Sequence, residues 1–299
     1  MIKKALPVVF LVVFGLFGEE PTELSPASIW DYHPIHAGGN LIAVGNANVK
    51  QKGGEPDGEL TYNKANAYAY CFVPISRQSY FLPRVEWNAF TMDWDRNPKF
   101  HETHFQFVQF ALTFLSTAVE KWRWIGRIDY NIDVKHFTHP KTYGLFSALL
   151  WGSHEFHRKW HYHVGAFGYT GFEGQEVYPV IGFDYSPNKK WMFQIVFPIT
   201  YSIEYSLNKE WRFSIKGRPL KERFRAGKLD PQPRSVFCYS SMGAEFNVHY
   251  EKFLNLEVEL FGGWNFGGNF YIKDQHGHHS LYTNVQGAPY GGASLNWGI

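Results

Sequence analysis

Only two cysteines, Cys71 and Cys238, occur in 299 residues, which excludes a disulfide framework and leaves room for one bridge at most. Each lies in a strand-like stretch, where a small buried thiol is the expected state. An excess of one charge is also missing: 29 Lys and Arg stand against 27 Asp and Glu, a formal net of +2. A near-neutral chain without a recognisable nucleic-acid module is not expected to bind nucleic acid. No Pro-, Gly- or Ser-rich linker separates two cores, so one domain is expected. Beyond the first twenty residues there is no long uninterrupted apolar run, which removes helical membrane spans and leaves strands as the only way through a bilayer.

Aromatic residues, by contrast, are abundant. They make up 19% of the chain, with 11 Trp, 18 Tyr and 27 Phe, more than an ordinary soluble core needs. The chain opens MIKKALPVVFLVVFGLFGEE, two lysines ahead of an apolar run shorter than the roughly 20 residues that span a bilayer. This predicts a secretory signal peptide over residues 1–18, cleaved after Gly18. An N-terminal periplasmic segment is expected over 19–39, and the folded domain over 40–299.

One element recurs. YSPNKKWMFQI runs from Tyr185 to Ile195, and YSLNKEWRFSI from Tyr205 to Ile215. Pro, Asn and Lys interrupt the apolar pattern, and Asn tolerates the left-handed backbone of tight hairpins, so the middle of each copy reads as a turn. Apolar residues then fall on every second position (Trp191, Phe193, Ile195; Trp211, Phe213, Ile215), the period of a strand. Related charged turns followed by an aromatic open EKWRWIGRIDYNIDV at Glu120, RKWHYHVGAFGYT at Arg158 and EKFLNLEVEL at Glu251.

The strand after Trp122 places Trp122, Trp124, Gly126, Ile128, Tyr130, Ile132 and Val134 on one face and Arg123, Ile125, Arg127, Asp129, Asn131 and Asp133 on the other. Such alternation fits a soluble sandwich with its apolar face inward. It fits equally a membrane barrel with that face toward lipid. Long apolar faces with Trp and Tyr at their ends favour the barrel, because amphipathic rings sit at headgroup level. Trp122, Trp160, Trp191, Tyr205, Trp211 and Trp297 are the expected girdle. The final PYGGASLNWGI carries alternating Ala293, Leu295, Trp297 and Ile299, as in the closing strand through which outer-membrane barrels engage their assembly machinery.

The segment YPVIGFDYSPNKKWMFQIVFPITYSIEYSLNKEWRFSIKGRP resembles an uncharacterised family of exported bacterial outer-membrane β-barrel proteins, a domain of unknown function. The resemblance implies fold and location, and no chemistry. The expected architecture is all-β: a transmembrane antiparallel up-and-down barrel of about twelve strands, with ten or fourteen also open. The apolar face from Trp191 to Tyr205 runs through Pro198. This fits either one long strand with a bulge or two short strands folded at Phe197-Pro198-Ile199.

A small-solute channel or a structural surface protein is the expected function, in the outer membrane of a Gram-negative-type bacterium, as a monomer contacting outer-membrane lipids. Arg123, Arg127, Asp129, Asp133, Arg212, Lys216, Glu245, Glu257 and Glu259 are the expected lumen residues. KGRPLKERFRAGK, Lys216 to Lys228, reads either as a solvated loop or as a grip for phosphates and other anions. Histidines recur three apart, a spacing that splits a pair between opposite strand faces, so His276, His278 and His279 in one loop are the best metal candidates. No cofactor is expected. Ser240, Ser241, Glu245 and His249 lie along one segment, too far apart for a catalytic pair, and no hydrolase elbow or zinc-protease motif occurs. Catalysis is not expected. The rivals are a secreted β-sandwich that binds glycans and an outer-membrane lipid hydrolase.

Overall fold

The computed structural model describes residues 34–51, 56–95, 102–171, 174–227, 233–251, 255–273 and 279–298. The expected signal peptide lies outside the described residues, as does most of the segment 19–39. Sixteen strands follow one another among the described residues: β1 (Ile35–Gln51), β2 (Pro56–Cys71), β3 (Val73–Ser76), β4 (Ser79–Trp94), β5 (His104–Ser116) and β6 (Trp122–Asp133). After a 3₁₀ turn (Val134–His136) and the short helix α1 (Pro140–Tyr143) come β7 (Gly144–His157), β8 (Trp160–Gly171), β9 (Gly174–Asn188), β10 (Trp191–Phe197) and β11 (Thr200–Ser206). The chain finishes with β12 (Trp211–Arg225), β13 (Val236–Glu251), β14 (Leu256–Lys273), β15 (His279–Val285) and β16 (Ala288–Gly298).

Every pairing is antiparallel, and β1 closes on β15 and β16. Strands β15 and β16 share one place between β14 and β1, and β3 is a short extension paired with β4. The result is a closed barrel with fourteen strand positions, the upper end of the expected range and an even number as single-chain barrels require. It is one sheet closed on itself, so the sandwich alternative is overturned. β1 begins at Ile35, ahead of residue 40.

The repeated turn is explained by its asparagines. Asn188 Oδ1 accepts the backbone N–H groups of Lys190 at 2.8 Å and Trp191 at 3.2 Å. Asn208 Oδ1 accepts those of Glu210 at 2.9 Å and Trp211 at 2.8 Å. The expected left-handed backbone is not used there: positive φ at described non-glycine residues falls at Lys121, Arg234 and Asn255. An amide oxygen instead supplies the acceptor that the ladder lacks at the turn. Pro198 resolves into two short strands, β10 and β11, paired from Trp191↔Tyr205 to Val196↔Thr200.

Side chains alternate as the period of two demands. Trp87 is 41% exposed on the outside of β4, whereas its neighbour Glu86 is 2% exposed inside. Phe110, Ile128, Leu150, Val164, Ile181, Ile195, Ile215, Phe246, Leu260 and Leu295 join Trp87 in a continuous exposed apolar belt. Monomeric soluble domains rarely expose so large an apolar band, which marks a surface that meets lipid or a partner. The connections 117–121, 158–159, 189–190 and 207–210, with the start of β1 and the finish of β16, lie at one end of the barrel, here the turn end.

Toward the far end the pattern changes. β10 and β11 are half-height, so no ladder joins the first half of β9 to the second half of β12. Freed from the wall, β12 and β13 curl inward. Phe224 of β12 stacks on Phe105 at 4.3 Å and meets Phe90 edge-on at 5.1 Å, both on strands across the lumen. With Tyr62, Met92, Leu220, Phe237, Tyr239, Phe270 and Ile272 they form an apolar core inside the barrel. Two register shifts at similar height allow it: one between Val44 and Ala47 in β1, the other between β13 and β14 near Gly267, whose φ is +89°. Each inserts a residue and reverses which parity faces inward.

Candidate functional site

The interior of the turn-end half is lined by polar side chains that meet in pairs. Lys216 on β12 reaches Glu259 on β14 at 3.0 Å. Arg218 grips Glu245 with two bonds of 2.5 and 2.7 Å and lies over the Phe261 ring, while Tyr290 donates to the same carboxylate at 3.0 Å. Across the lumen, Asp129 accepts from Arg127, from Gln109 at 3.0 Å and from Ser147 at 3.2 Å. Arg84 pairs with Glu86, and Asn66 donates to Glu86 at 2.8 Å. A buried charge in such a wall persists only with a partner and further hydrogen bonds.

His163 shows how a neighbour sets chemistry. The Trp151 indole N–H, which can only donate, meets His163 Nδ1 at 2.9 Å. The ring proton of a neutral His163 therefore sits on Nε2, which faces Asp184 at 2.9 Å.

All nine residues expected in the lumen lie on inward-facing positions, but they do not form one continuous ring. Arg127, Asp129, Lys216, Glu245 and Glu259 belong to the paired wall just described. Glu257 binds Asn296 at 3.2 Å. Arg123 borders a cavity of about 230 Å³ at the turn-end mouth, shared with Lys121, Glu155 and His161. Arg212 contacts His249 at 2.6 Å, Glu251 at 3.6 Å and Glu204 at 3.8 Å. Asp133 lies at the far end, where it caps the 3₁₀ turn by accepting the Lys135 N–H at 2.8 Å and contacts His136 at 3.1 Å.

The six girdle residues all fall at the turn end, at strand starts or finishes. Trp160 stacks on Tyr185 at 4.3 Å, Trp191 meets Tyr205 at 4.8 Å, Trp211 meets Tyr250 at 4.5 Å and Trp122 stacks on Trp124 at 5.1 Å.

Other expectations fare differently. Cys71 and Cys238 are free thiols at opposite ends of the barrel. His276 and His278 lie outside the described residues, and His279 is known only as the first residue of β15. Among the described residues one histidine cluster, His249 with Glu251 and Glu257, has metal-like spacing, yet the Arg212 guanidinium already occupies His249 Nε2. Ser240, Ser241, Glu245 and His249 are strung along β13, with Glu245 held by Arg218 and His249 by Arg212. The basic segment from Lys216 is not a loop: Lys216–Arg225 is strand, and its charges divide by parity between two faces.

Sequence reasoning missed Arg84, Glu86, Arg218 and Asp184. Their signal was present, since Arg84, Glu86 and Asn88 alternate with Val85, Trp87 and Ala89. It also missed Glu222, which accepts from Tyr62 at 2.9 Å and Lys64 at 3.2 Å. No local pattern pointed to that contact across the lumen.

A family model described as Domain of unknown function (DUF6268) matches residues 96–298, and the chain belongs to that family. An uncharacterized protein of Chlamydia pneumoniae is 21% identical over 278 residues, covering 88% of this chain and 86% of its own. One from Chlamydia trachomatis serovar D is 19% identical over 257 residues, covering 81% and 80%. Among solved structures, the COG4313 outer membrane channel from Pseudomonas putida F1 superposes with a TM-score of 0.51 over 90% of this chain and 98% of its own, at 8% identity. The fold is that of an outer-membrane barrel.

Proposed function

We propose that this member of the family is a monomeric barrel of the bacterial outer membrane that passes small solutes through a lumen closed at rest by its own β12–β13 hairpin. The observation that carries the reading is the apolar core around Phe224, seated directly on a charged lumen. An inert scaffold has no need to leave half of two wall positions empty and tuck the adjacent hairpin inside. The exposed apolar belt and the turn-end aromatics suit lipid on the outside. The signal-like N-terminus and the alternating last strand suit export and insertion by the barrel-assembly machinery. Catalysis has no part in this reading.

The rival from the same location is a structural surface protein. The pairing of the lumen charges favours it, because ion-paired side chains in a narrow barrel act as a plug. Purified protein in a planar bilayer separates the two. On the channel reading, the unmutated protein is mostly silent with rare steps, Phe224→Ala raises the step frequency by about tenfold or more, and Arg127→Glu in that background shifts ion preference toward cations. Silence of folded Phe224→Ala at all voltages leaves the structural role.

A further inference from the structure

We propose that the seam where β12 passes inside the β7–β9 wall is an oxyanion site, built by Lys221, Arg223 and Lys273 for the phosphate of a small solute or of a lipid headgroup. This goes beyond conduction and holds whether or not the lumen opens.

The site is set by parity. Even positions of β12 face the apolar core, so Lys221, Arg223 and Arg225 lie on the opposite face, which in a regular barrel meets hydrocarbon. The ladder continues that face through Cys238 and Tyr271 beside Arg223, and through Val236 and Lys273 beside Arg225. Leu145 of β7 packs on Val236 and Cys238. Tyr169 of β8 lies against Arg223, which donates to its hydroxyl and sits 4.2 Å from the ring centre, and the Lys221 ammonium is 5.8 Å from the same ring. The basic face of β12 is thus covered by the inner face of β7–β9, farther round the same sheet.

Charge is unbalanced there. Among the described residues Glu176 of β9 is the carboxylate within electrostatic reach of Lys221 and Arg223, and it already accepts from Arg223 at 3.3 Å and from the Tyr178 hydroxyl. Lys221 is only 8% exposed, yet among the described residues no acceptor is bonded to its ammonium. Buried cations are ordinarily paired. Three cations converging from two strands, with a guanidinium fork among them, match the several oxygens of a phosphate. Glu176 keeps 35% of its side chain exposed and Lys273 is half-buried, so the seam is reached from the surface.

The test is calorimetric titration of the full chain, folded in neutral detergent, with inorganic phosphate and separately with decyl phosphate. Both arms binding alike assigns a soluble phosphate, and decyl phosphate binding alone assigns a headgroup. Lys221→Met and Lys273→Met are each expected to weaken binding about tenfold, the value of one charged hydrogen bond. Lys221→Arg is expected to retain it within about threefold. Glu176→Gln removes the competing carboxylate and is expected to tighten binding, a gain that a purely structural role would not produce and that carries the test if Lys221→Met does not fold. Absence of binding in both arms overturns the site, as does a folded Lys221→Met that binds like the unmutated chain.

Discussion

The two halves of the barrel interior solve the same packing problem differently. At the turn end the wall is complete, and inward residues are charged and paired, as with Arg218–Glu245 and Arg127–Asp129. At the far end two wall positions stop short and the adjacent hairpin fills the lumen with Phe224, Phe237, Tyr239 and their partners. A barrel of fourteen positions is too wide for its own inward side chains to fill it in one layer. Polar groups can remain facing water and each other, whereas an apolar filling needs backbone brought inward to supply it. The contrast places the apolar filling in the far half and the charge in the near half.

The sharpest way to break this contrast is Phe224→Ala. Loss of a ring stacked among Phe90, Phe105 and Phe107 is expected to cost about 3–5 kcal/mol. Urea unfolding in lipid vesicles measures it, and an unchanged midpoint would mean that the far-half core carries little of the stability.

Phe110→Arg tests inside against outside. Phe110 is on the lipid-facing belt, beside inward Gln109, and an Arg there is expected to cost about 2–4 kcal/mol near mid-membrane. Gln194→Arg, on the inner face where Gln194 accepts from Ser202, is expected to cost less than about 1 kcal/mol because the lumen can hydrate it. Equal losses would remove the assignment of faces.

A smaller effect is expected from Glu245→Gln, which preserves shape but leaves Arg218 facing a neutral amide. The loss should be about 1–3 kcal/mol, and restoring charge balance with Arg218→Met in the same chain should recover part of it. No recovery would mean the pair is a spectator of packing.

The smallest is Lys135→Ala at the far-end rim. Lys135 bonds Glu102 at 2.6 Å with half its side chain in solvent, so the change should stay within about 1 kcal/mol. A larger loss would show that the rim loops brace the inward hairpin.

Particular strands show how much of this was legible. β6 is legible by parity from Trp122 to Asn131, where an unbroken period of two separates lipid from lumen, whereas Ile132, expected on the outer face, is buried and Val134 lies in the 3₁₀ turn. In β14 the same parity places Glu257 and Glu259 inward, but the shift near Gly267 moves the inward side from Phe261 to Phe270 and Ile272, which no alternation in the sequence announces. The basic run from Lys216 leaves a solvated loop open beside an anion grip, because Gly217, Pro219 and six cations look like solvated turn chemistry. Its strand state comes from a full ladder with β13.

The sequence by itself determined the class, the alternation and the turns: period-two patterning, aromatic strand ends and the twin Asn turns are local properties, enforced within a few residues of chain. Only the tertiary structure decided that the wall has a seam, that β12 lies inside it, and that Glu222 meets Tyr62 while Arg223 meets Tyr169. Those contacts join strands far apart in the chain. They depend on how a closed sheet of given width fills its own interior, a global constraint that no local window of residues contains.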